Sequence, residues 1–163
     1  MSFLTNASIE VPITINAPPA TVRKVLLDFA RWPEWKNKQN IINHLHVKTS
    51  DNSTVPGQDA KAGDVMYIDS VQSGAVAAEV YVNDEQTFDY TGKAYGFTAR
   101  HSWVMLPGGA AGTETTLFKH CEQFSGPTAW AFGYYSPLRP WIRGLFAAFN
   151  EDLKAAVESG RFC

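Results

Sequence analysis

The sequence has little cysteine, no excess of charge of either sign and no long apolar run. Its two cysteines, Cys121 and Cys163, provide neither a disulfide framework nor the spacing of a metal site. The net charge of −2 gives no electrostatic basis for binding a nucleic acid. No apolar run approaches the roughly 20 residues that span a bilayer, so no stable membrane insertion is expected.

The N-terminus also lacks the basic and then apolar segments of a signal peptide, which predicts a cytoplasmic protein with reduced thiols. What the sequence does contain is 45% hydrophobic and 13% aromatic residues in a chain of 163 residues. That length suits one domain, residues 1–163, with a sizeable hydrophobic core.

The first thirty-six residues predict a strand followed by two helices. Residues 8–15 alternate apolar and polar side chains, as in a strand with one buried face, and Pro12 favours the edge of a sheet. Pro18 suits a helix start. An apolar stripe at helical spacing follows it: Val22, Val25, Leu26 and Phe29. A short second helix is expected over residues 33–36.

The rest of the chain predicts antiparallel strands and one long helix. Short turn signals separate the β segments, which are 41–48, 64–71, 75–82, 86–93 and the two arms of 100–126. Residues 49–62 are expected to form a polar loop. Residues 137–159 keep helical spacing of apolar side chains up to Gly160. Seven strands and one long amphipathic helix indicate an α+β domain.

The hairpin at residues 100–126 carries the candidate catalytic groups. Its apolar residues mark an inner face, and His101, His120 and Glu122 share that face. Pairing the arms about the loop PGGAAG puts His101 opposite His120, with Glu122 two residues beyond. The cluster suits proton transfer, the orientation of a ligand, or a purely structural network. Its apolar surroundings argue against a metal.

Two tyrosines are further candidates for contact with a ligand. Tyr67 shares a strand face with Asp69, and the opposite face holds Met66 and Ile68, so the pattern leaves the inward side open. An inward Tyr67 would donate a hydrogen bond to a ligand carbonyl, whereas an outward one would be solvated. Tyr90 follows the inward parity of its neighbour Phe88, and either polarises a carbonyl or packs in the core.

Three stretches give the chain a resemblance to the helix-grip superfamily of START-like (SRPBCC) proteins, in its polyketide cyclase/dehydrase-like branch. They are ITINAPPATVRKVLLDFARWPEWKN, GTETTLFKHCEQFSG and FAAFNEDLKAAVES. The resemblance implies a curved seven-stranded antiparallel sheet around a long C-terminal helix, with two short helices after the first strand. It also implies a cavity between sheet and helix, on the order of several hundred Å³.

The resemblance further implies an enzyme that cyclises, dehydrates or isomerises an apolar aromatic or polycyclic carbonyl compound, as a lyase or isomerase of secondary metabolism. His101, His120, Glu122 and Tyr67 would be catalytic. The expected ligand-binding residues are Tyr90, Trp103, Met105, Phe88, Phe118, Phe124, Trp130, Ile142, Phe146 and Phe149. No cofactor and no metal are expected, and the protein would be a monomer or homodimer.

Two other functions fit the same pattern. A non-catalytic carrier of a lipid or hydrophobic metabolite needs the cavity but no titratable groups in it, and a protein-interaction domain needs no cavity. For an enzyme or a carrier, the loop at 126–137, which combines glycine, proline and large aromatic residues, is expected to border the cavity mouth and to act as a lid. The alternative is a loop that folds its aromatic residues onto the core.

Overall fold

The computed structural model describes residues 7–37, 42–70, 74–108 and 114–162. Its strands and helices are β1 (Ala7–Ile15), α1 (Pro19–Leu27), α2 (Trp32–Trp35), β2 (Ile42–Lys48), β3 (Thr54–Val55), β4 (Val65–Ser70), β5 (Gly74–Asn83), β6 (Thr87–Ala94), β7 (Phe97–Gly108), β8 (Thr115–Ser125) and α3 (Leu138–Glu158). Single 3₁₀ turns cover Phe29–Arg31, Gly57–Asp59 and Ala129–Phe132.

All strands belong to one antiparallel sheet in the order β1-β8-β7-β6-β5-β4-β2-β3, wrapped on α3. This confirms the predicted α+β architecture, with eight strands rather than seven. The additional strand is β3, which pairs Val55 with Val47 inside the segment predicted as a loop. A two-residue strand is too short to show alternation, so no sequence pattern marks it. Pro12 lies in the edge strand β1, as predicted.

Helix α3 is bound to the sheet along the free edge of β1. Three of its side chains donate hydrogen bonds to β1 carbonyls: Arg143 to Glu10 at 3.0 Å, Asn150 to Val11 at 2.9 Å and Lys154 to Thr14 at 2.7 Å. Edge carbonyls without a neighbouring strand need such partners. The helix therefore covers the inner face of the sheet at a fixed distance from β1.

Helix α1 packs on α3, β7 and β8, and the 3₁₀ turn Phe29–Arg31 that follows it packs on β2. Val22, Val25 and Leu26 are buried, as their helical spacing predicts. Trp32 is also buried, and its indole N–H donates to the Leu26 carbonyl at 2.8 Å. No helix in the described segments combines the length and the apolarity needed to cross a bilayer.

The register of the β7–β8 hairpin differs from the predicted one by two residues. His101 lies opposite Glu122, and Trp103 lies opposite His120. The ladder runs to Gly108 and Thr115, so its midpoint lies one residue later in the chain than the midpoint of the predicted pairing. Because side chains alternate with a period of two, this shift leaves every inward residue facing inward.

Candidate functional site

A pocket of about 450 Å³ lies between α3 and the sheet. Most of its lining is apolar, and the residues that form it are Lys36, Ile42, Ile68, Val76, Ala78, Tyr90, Gly92, Ala99, His101, Trp103, His120, Glu122, Trp141, Ile142, Leu145, Phe146 and Phe149. This volume confirms the expected cavity between the sheet and the long helix. Tyr90 on β6, His101 on β7, and His120 and Glu122 on β8 place polar groups on neighbouring strands, and Lys36 reaches the pocket from the segment after α2.

A chain of hydrogen bonds connects the edge of the sheet to the wall of the pocket. The Asn150 side-chain N–H donates to the Val11 carbonyl, which directs the amide oxygen Oδ1 of Asn150 towards His120. That oxygen lies 3.0 Å from His120 Nδ1. His120 Nε2 in turn lies 2.8 Å from His101 Nε2. Three side chains from α3, β8 and β7 are thus held in one line.

This chain assigns the proton positions on both imidazole rings. Asn150 Oδ1 can only accept, so His120 Nδ1 must carry a proton and donate it. His120 Nε2 then presents its lone pair, and His101 Nε2 must be the donor between the two rings. In neutral His101 the other nitrogen, Nδ1, is therefore left with a free lone pair. The geometry makes Nδ1 of His101 the basic atom of the cluster.

Glu122 faces that atom. Its Oε1 lies 3.8 Å from His101 Nδ1, and its side chain is 18% exposed, compared with 10% for His101. The distance is longer than a hydrogen bond but close enough for the carboxylate to stabilise a proton gained by Nδ1. His101 and Glu122 together can accept a proton from a ligand and return it.

Burial controls the protonation of two other groups in the site. It lowers the pKa of His120 well below the ordinary value of 6.5, an effect that the neighbouring His101 reinforces and the hydrogen bond that His120 donates to Asn150 opposes. His120 is therefore a neutral imidazole at physiological pH. Burial also raises the pKa of Tyr90 well above 10.0, as do the Glu122 and Asp89 carboxylates. Tyr90 keeps its proton and can act as a donor.

Aromatic rings hold these groups in place. The His120 ring lies flat on Phe146, with centroids 3.9 Å apart, and Tyr90 stacks on His101 at 4.8 Å. Trp103 packs edge-on against His101 at 5.3 Å. With both nitrogens bonded and one face covered, His120 has no free atom for a ligand. His101 is the imidazole that a ligand can reach.

Eight of the residues predicted for the site line the pocket. They are His101, His120, Glu122, Tyr90, Trp103, Ile142, Phe146 and Phe149. Phe88, Met105 and Phe118 do not, because they are fully buried in the main core cluster. Phe124 belongs to a second cluster with Ile9 and Ala129. Their inward parity is as predicted, but the space in front of them is filled.

Two predicted positions are wrong. Tyr67 lies on the outer face of β4, 38% exposed and stacked on His46 at 5.3 Å, because Met66 and Ile68 take the inner face. Trp130 is 68% exposed. The segment 126–137 does not line the pocket; its Phe132 packs on Phe124 at 3.9 Å. The first aromatic residue after this segment that lines the pocket is Trp141, in the first turn of α3.

Sequence reasoning missed Asn150 and Lys36. Asn150 is 1% exposed, and it lies four residues after Phe146 on the apolar stripe of α3. A polar residue on such a stripe is the signal that identifies it. Lys36 has no comparable signal, since a lysine after a short helix ordinarily points into solvent.

A family model described as polyketide cyclase / dehydrase and lipid transport matches residues 6–158. A search among curated proteins found no match. Among solved structures, a norcoclaurine synthase point mutant from Thalictrum flavum, in complex with a transition-state analogue, has a TM-score of 0.67 at 11% identity, over 99% of each chain.

Two further structures have the same architecture. The Zhui aromatase/cyclase from Streptomyces sp. R1128 has a TM-score of 0.65 at 12% identity, over 94% of each chain. A START superfamily protein from Mycobacterium smegmatis has a TM-score of 0.56 at 16% identity, over 95% of this chain and 96% of the other. At such identities the likeness shows a common fold.

Proposed function

Because the chain belongs to the polyketide cyclase / dehydrase and lipid transport family, we propose that it is an enzyme that transfers protons on a bound carbonyl compound. The reaction is a cyclisation, dehydration or isomerisation, and the substrate is an apolar aromatic or polycyclic molecule that fits the pocket. The observation that carries this proposal is the hydrogen-bond chain from Asn150 through His120 to His101, which leaves one basic nitrogen facing Glu122.

His101 Nδ1 is the general base of the proposed mechanism. It takes a proton from the carbon next to the substrate carbonyl, and the electron pair moves to the carbonyl oxygen as an enolate. The Glu122 carboxylate, 3.8 Å away, stabilises the resulting imidazolium. Return of the proton to a different atom completes an isomerisation, and its transfer to a departing hydroxyl completes a dehydration. No step requires an outside oxidant or reductant.

The surroundings of His101 support this role. Tyr90 is kept protonated by its raised pKa and is the donor available for an enolate oxygen. His120 and Asn150 act by positioning His101, since neither has a free atom directed at a ligand. The aromatic walls exclude water and hold a flat substrate against the base, which favours proton transfer by proximity.

The family and the structural relatives agree with the proposal in kind. The family description names cyclase, dehydrase and lipid transport together, and two of the similar folds are titled as a synthase and an aromatase/cyclase. Such a pocket serves equally well in a carrier of a hydrophobic molecule. What favours catalysis here is the oriented imidazole pair, because a carrier has no need of a defined proton position.

Deuterium exchange of 2-tetralone tests the proposal without knowledge of the natural substrate. This bicyclic ketone carries acidic hydrogens beside its carbonyl, and NMR follows their replacement in D₂O. We expect the protein to accelerate the exchange and His101→Gln to lose about 100-fold of that acceleration. The matched control is His46→Gln, which removes an exposed histidine on the outer side of β2.

The same experiment distinguishes an enzyme from a carrier. A carrier would show chemical-shift changes on binding 2-tetralone but no acceleration of exchange, and His101→Gln would then behave like His46→Gln. Acceleration that persists in full after His101→Gln would also contradict the proposed base.

A further inference from the structure

Lys36 is a charged residue of the pocket that the proton-transfer scheme does not use. It follows α2 and lines the pocket together with Ile42 and Ile68. Its Nζ is shielded from solvent and has no hydrogen-bond partner in the described parts of the chain. None of the ion pairs found among the described residues includes it.

The surroundings of this ammonium compensate only partly for the loss of water. The Trp32 ring centroid lies 5.7 Å from Nζ, near the outer limit of a cation–π contact. Burial lowers the pKa of Lys36, and the Asp152 carboxylate opposes that effect. A shielded cation without a hydrogen-bonded anion is unfavourable, and a ligand that brings an anion removes the penalty.

The position of Lys36 relative to the acid–base groups suggests what it recognises. His101, His120 and Glu122 come from β7 and β8, whereas Lys36 enters after α2, near the Trp32 ring and the Asp152 carboxylate of α3. The carboxylate and the ammonium of the lining thus come from different elements of the fold. A ligand with an anion at one end is repelled by Glu122 and attracted by Lys36, which fixes its direction.

We propose that Lys36 binds an oxyanion on the ligand, so that the substrate class is an aromatic or polycyclic carbonyl compound that also carries a carboxylate or another anionic oxygen. The flexible four-carbon stem of lysine lets Nζ turn into the pocket when the anion arrives. The inference builds on the proposed function in one respect: it takes this pocket as the substrate site.

Two fluorescent probes with one aromatic skeleton test the inference. 8-Anilinonaphthalene-1-sulfonate carries an oxyanion, and N-phenyl-1-naphthylamine is its neutral counterpart. We expect Lys36→Met to lower the affinity for the sulfonate by about tenfold relative to the affinity for the neutral probe, as the loss of one charge-assisted hydrogen bond predicts. Lys61→Met, which removes an exposed lysine outside the pocket lining, should leave that ratio unchanged.

A second variant and a pH series keep the test decisive if Lys36→Met folds poorly. Lys36→Arg retains the charge and should retain the preference for the sulfonate. In the wild type, the affinity for the sulfonate should fall with rising pH, with a midpoint below the ordinary lysine value of 10.5, because burial lowers the pKa of this group. The neutral probe should show no such midpoint.

The outcomes separate this inference from the proposed function. If both probes bind and Lys36→Met changes them equally or not at all, Lys36 is not an anion site, and the proton-transfer proposal is unaffected. If neither probe binds the wild type, the pocket does not accept aromatic ligands, and both proposals are overturned. If the sulfonate preference depends on Lys36 but 2-tetralone exchange is not accelerated, the protein is a carrier of acidic aromatic ligands.

Discussion

Two neighbouring parts of the β7–β8 ladder share one inner face but have different interiors. At the pair Trp103 and His120 the face borders the pocket. At the next inward pair, Met105 and Phe118, both side chains are 0% exposed and lie in solid core. We refer to these two parts as the pocket end and the core end of the ladder.

The difference comes from what covers the sheet at each end. At the core end Phe29, in the turn after α1, packs against Phe88 with ring centroids 5.9 Å apart, and the α1 side chains fill the remaining space. At the pocket end the cover is α3, whose rings reach the histidines but leave about 450 Å³ beside them. Strand parity thus decides which side chains point inward, and the covering helix decides whether they meet core or cavity.

Truncating one phenylalanine at each end should give the largest contrast. Phe118→Ala is expected to lower the free energy of unfolding by about 3–5 kcal/mol, because it opens a hole in filled core. Phe146→Ala, at the pocket wall, should cost about 2 kcal/mol, because it enlarges an existing space. Urea unfolding of both variants measures the two values, and equal losses would mean that the two ends are packed alike.

A charge placed behind His120 should disable the base at the pocket end. The substitution also removes the hydrogen bond that Asn150 donates to the Val11 carbonyl, and its control removes the same bond. In Asn150→Asp a carboxylate accepts from His120 Nδ1 and favours the imidazolium, whose Nε2–H then donates to His101. His101 must place its own proton on Nδ1, so the base is blocked. We expect 2-tetralone exchange to fall by about 100-fold, as for other catalytic histidines held in the wrong tautomer.

The control for that variant is Asn150→Leu, which removes the acceptor without adding charge. It leaves the tautomer of His120 unconstrained, so exchange should be reduced less than in Asn150→Asp. If the two variants lose activity equally, the proton arrangement derived from the hydrogen bonds is wrong.

Removing the carboxylate opposite His101 should have a smaller effect. Glu122→Gln keeps the shape of the side chain but no longer stabilises the imidazolium at 3.8 Å, so we expect about a tenfold slower exchange. A loss as large as that of His101→Gln would instead identify Glu122 as the base itself. Unfolding free energies of Glu122→Gln and the wild type, measured in parallel, should agree within about 1 kcal/mol.

The smallest expected effect is the contribution of His120, at the pocket end, to the pH dependence of stability. The folded protein keeps His120 neutral because its pKa is lowered, whereas the unfolded chain protonates it at about 6.5. The unfolded state therefore binds more protons below that pH, and stability falls as the pH falls. Between about pH 6.5 and 5.5 the loss should be about 1 kcal/mol.

Unfolding experiments on His120→Gln across the same range isolate this contribution. The variant has no imidazole at this position and should lose less stability than the wild type as the pH falls. An identical slope in both proteins would show that His120 does not cause the dependence.

The sequence predicts the pocket end incompletely, for reasons that the residues make clear. Alternation identifies His101, His120 and Glu122 as inward, and this holds even though the hairpin register is off by two. It does not decide the inward side of β4, where both faces carry apolar residues, and there Tyr67 is outward. Alternation also cannot reveal Asn150, because its partners Val11 and His120 lie on other elements far along the chain.

The core end illustrates the other limit of sequence reasoning. Phe88, Met105 and Phe118 have the same parity as the pocket residues and the same apolar character, so no local pattern distinguishes a cavity wall from core. The position of α1 and of Phe29 makes that distinction, and it depends on how distant segments pack. The order of helices and strands, apart from the two-residue β3, by contrast follows from periodicity and turn signals alone.

The hydrogen bond between Asn150 and Val11 has a consequence for how the protein is made. The two residues are 139 positions apart, and β1, the first strand of the described chain to be synthesised, pairs with β8, the last. The ribosome must therefore release nearly the whole chain before β1 can pair with β8 and before the hydrogen bonds between Asn150, His120 and His101 can form. Contacts so distant in sequence are slow to form, so we expect folding in the millisecond-to-second range that is usual for sheets of high contact order. Until these bonds form, the newly made chain has an exposed β8 edge and no working base.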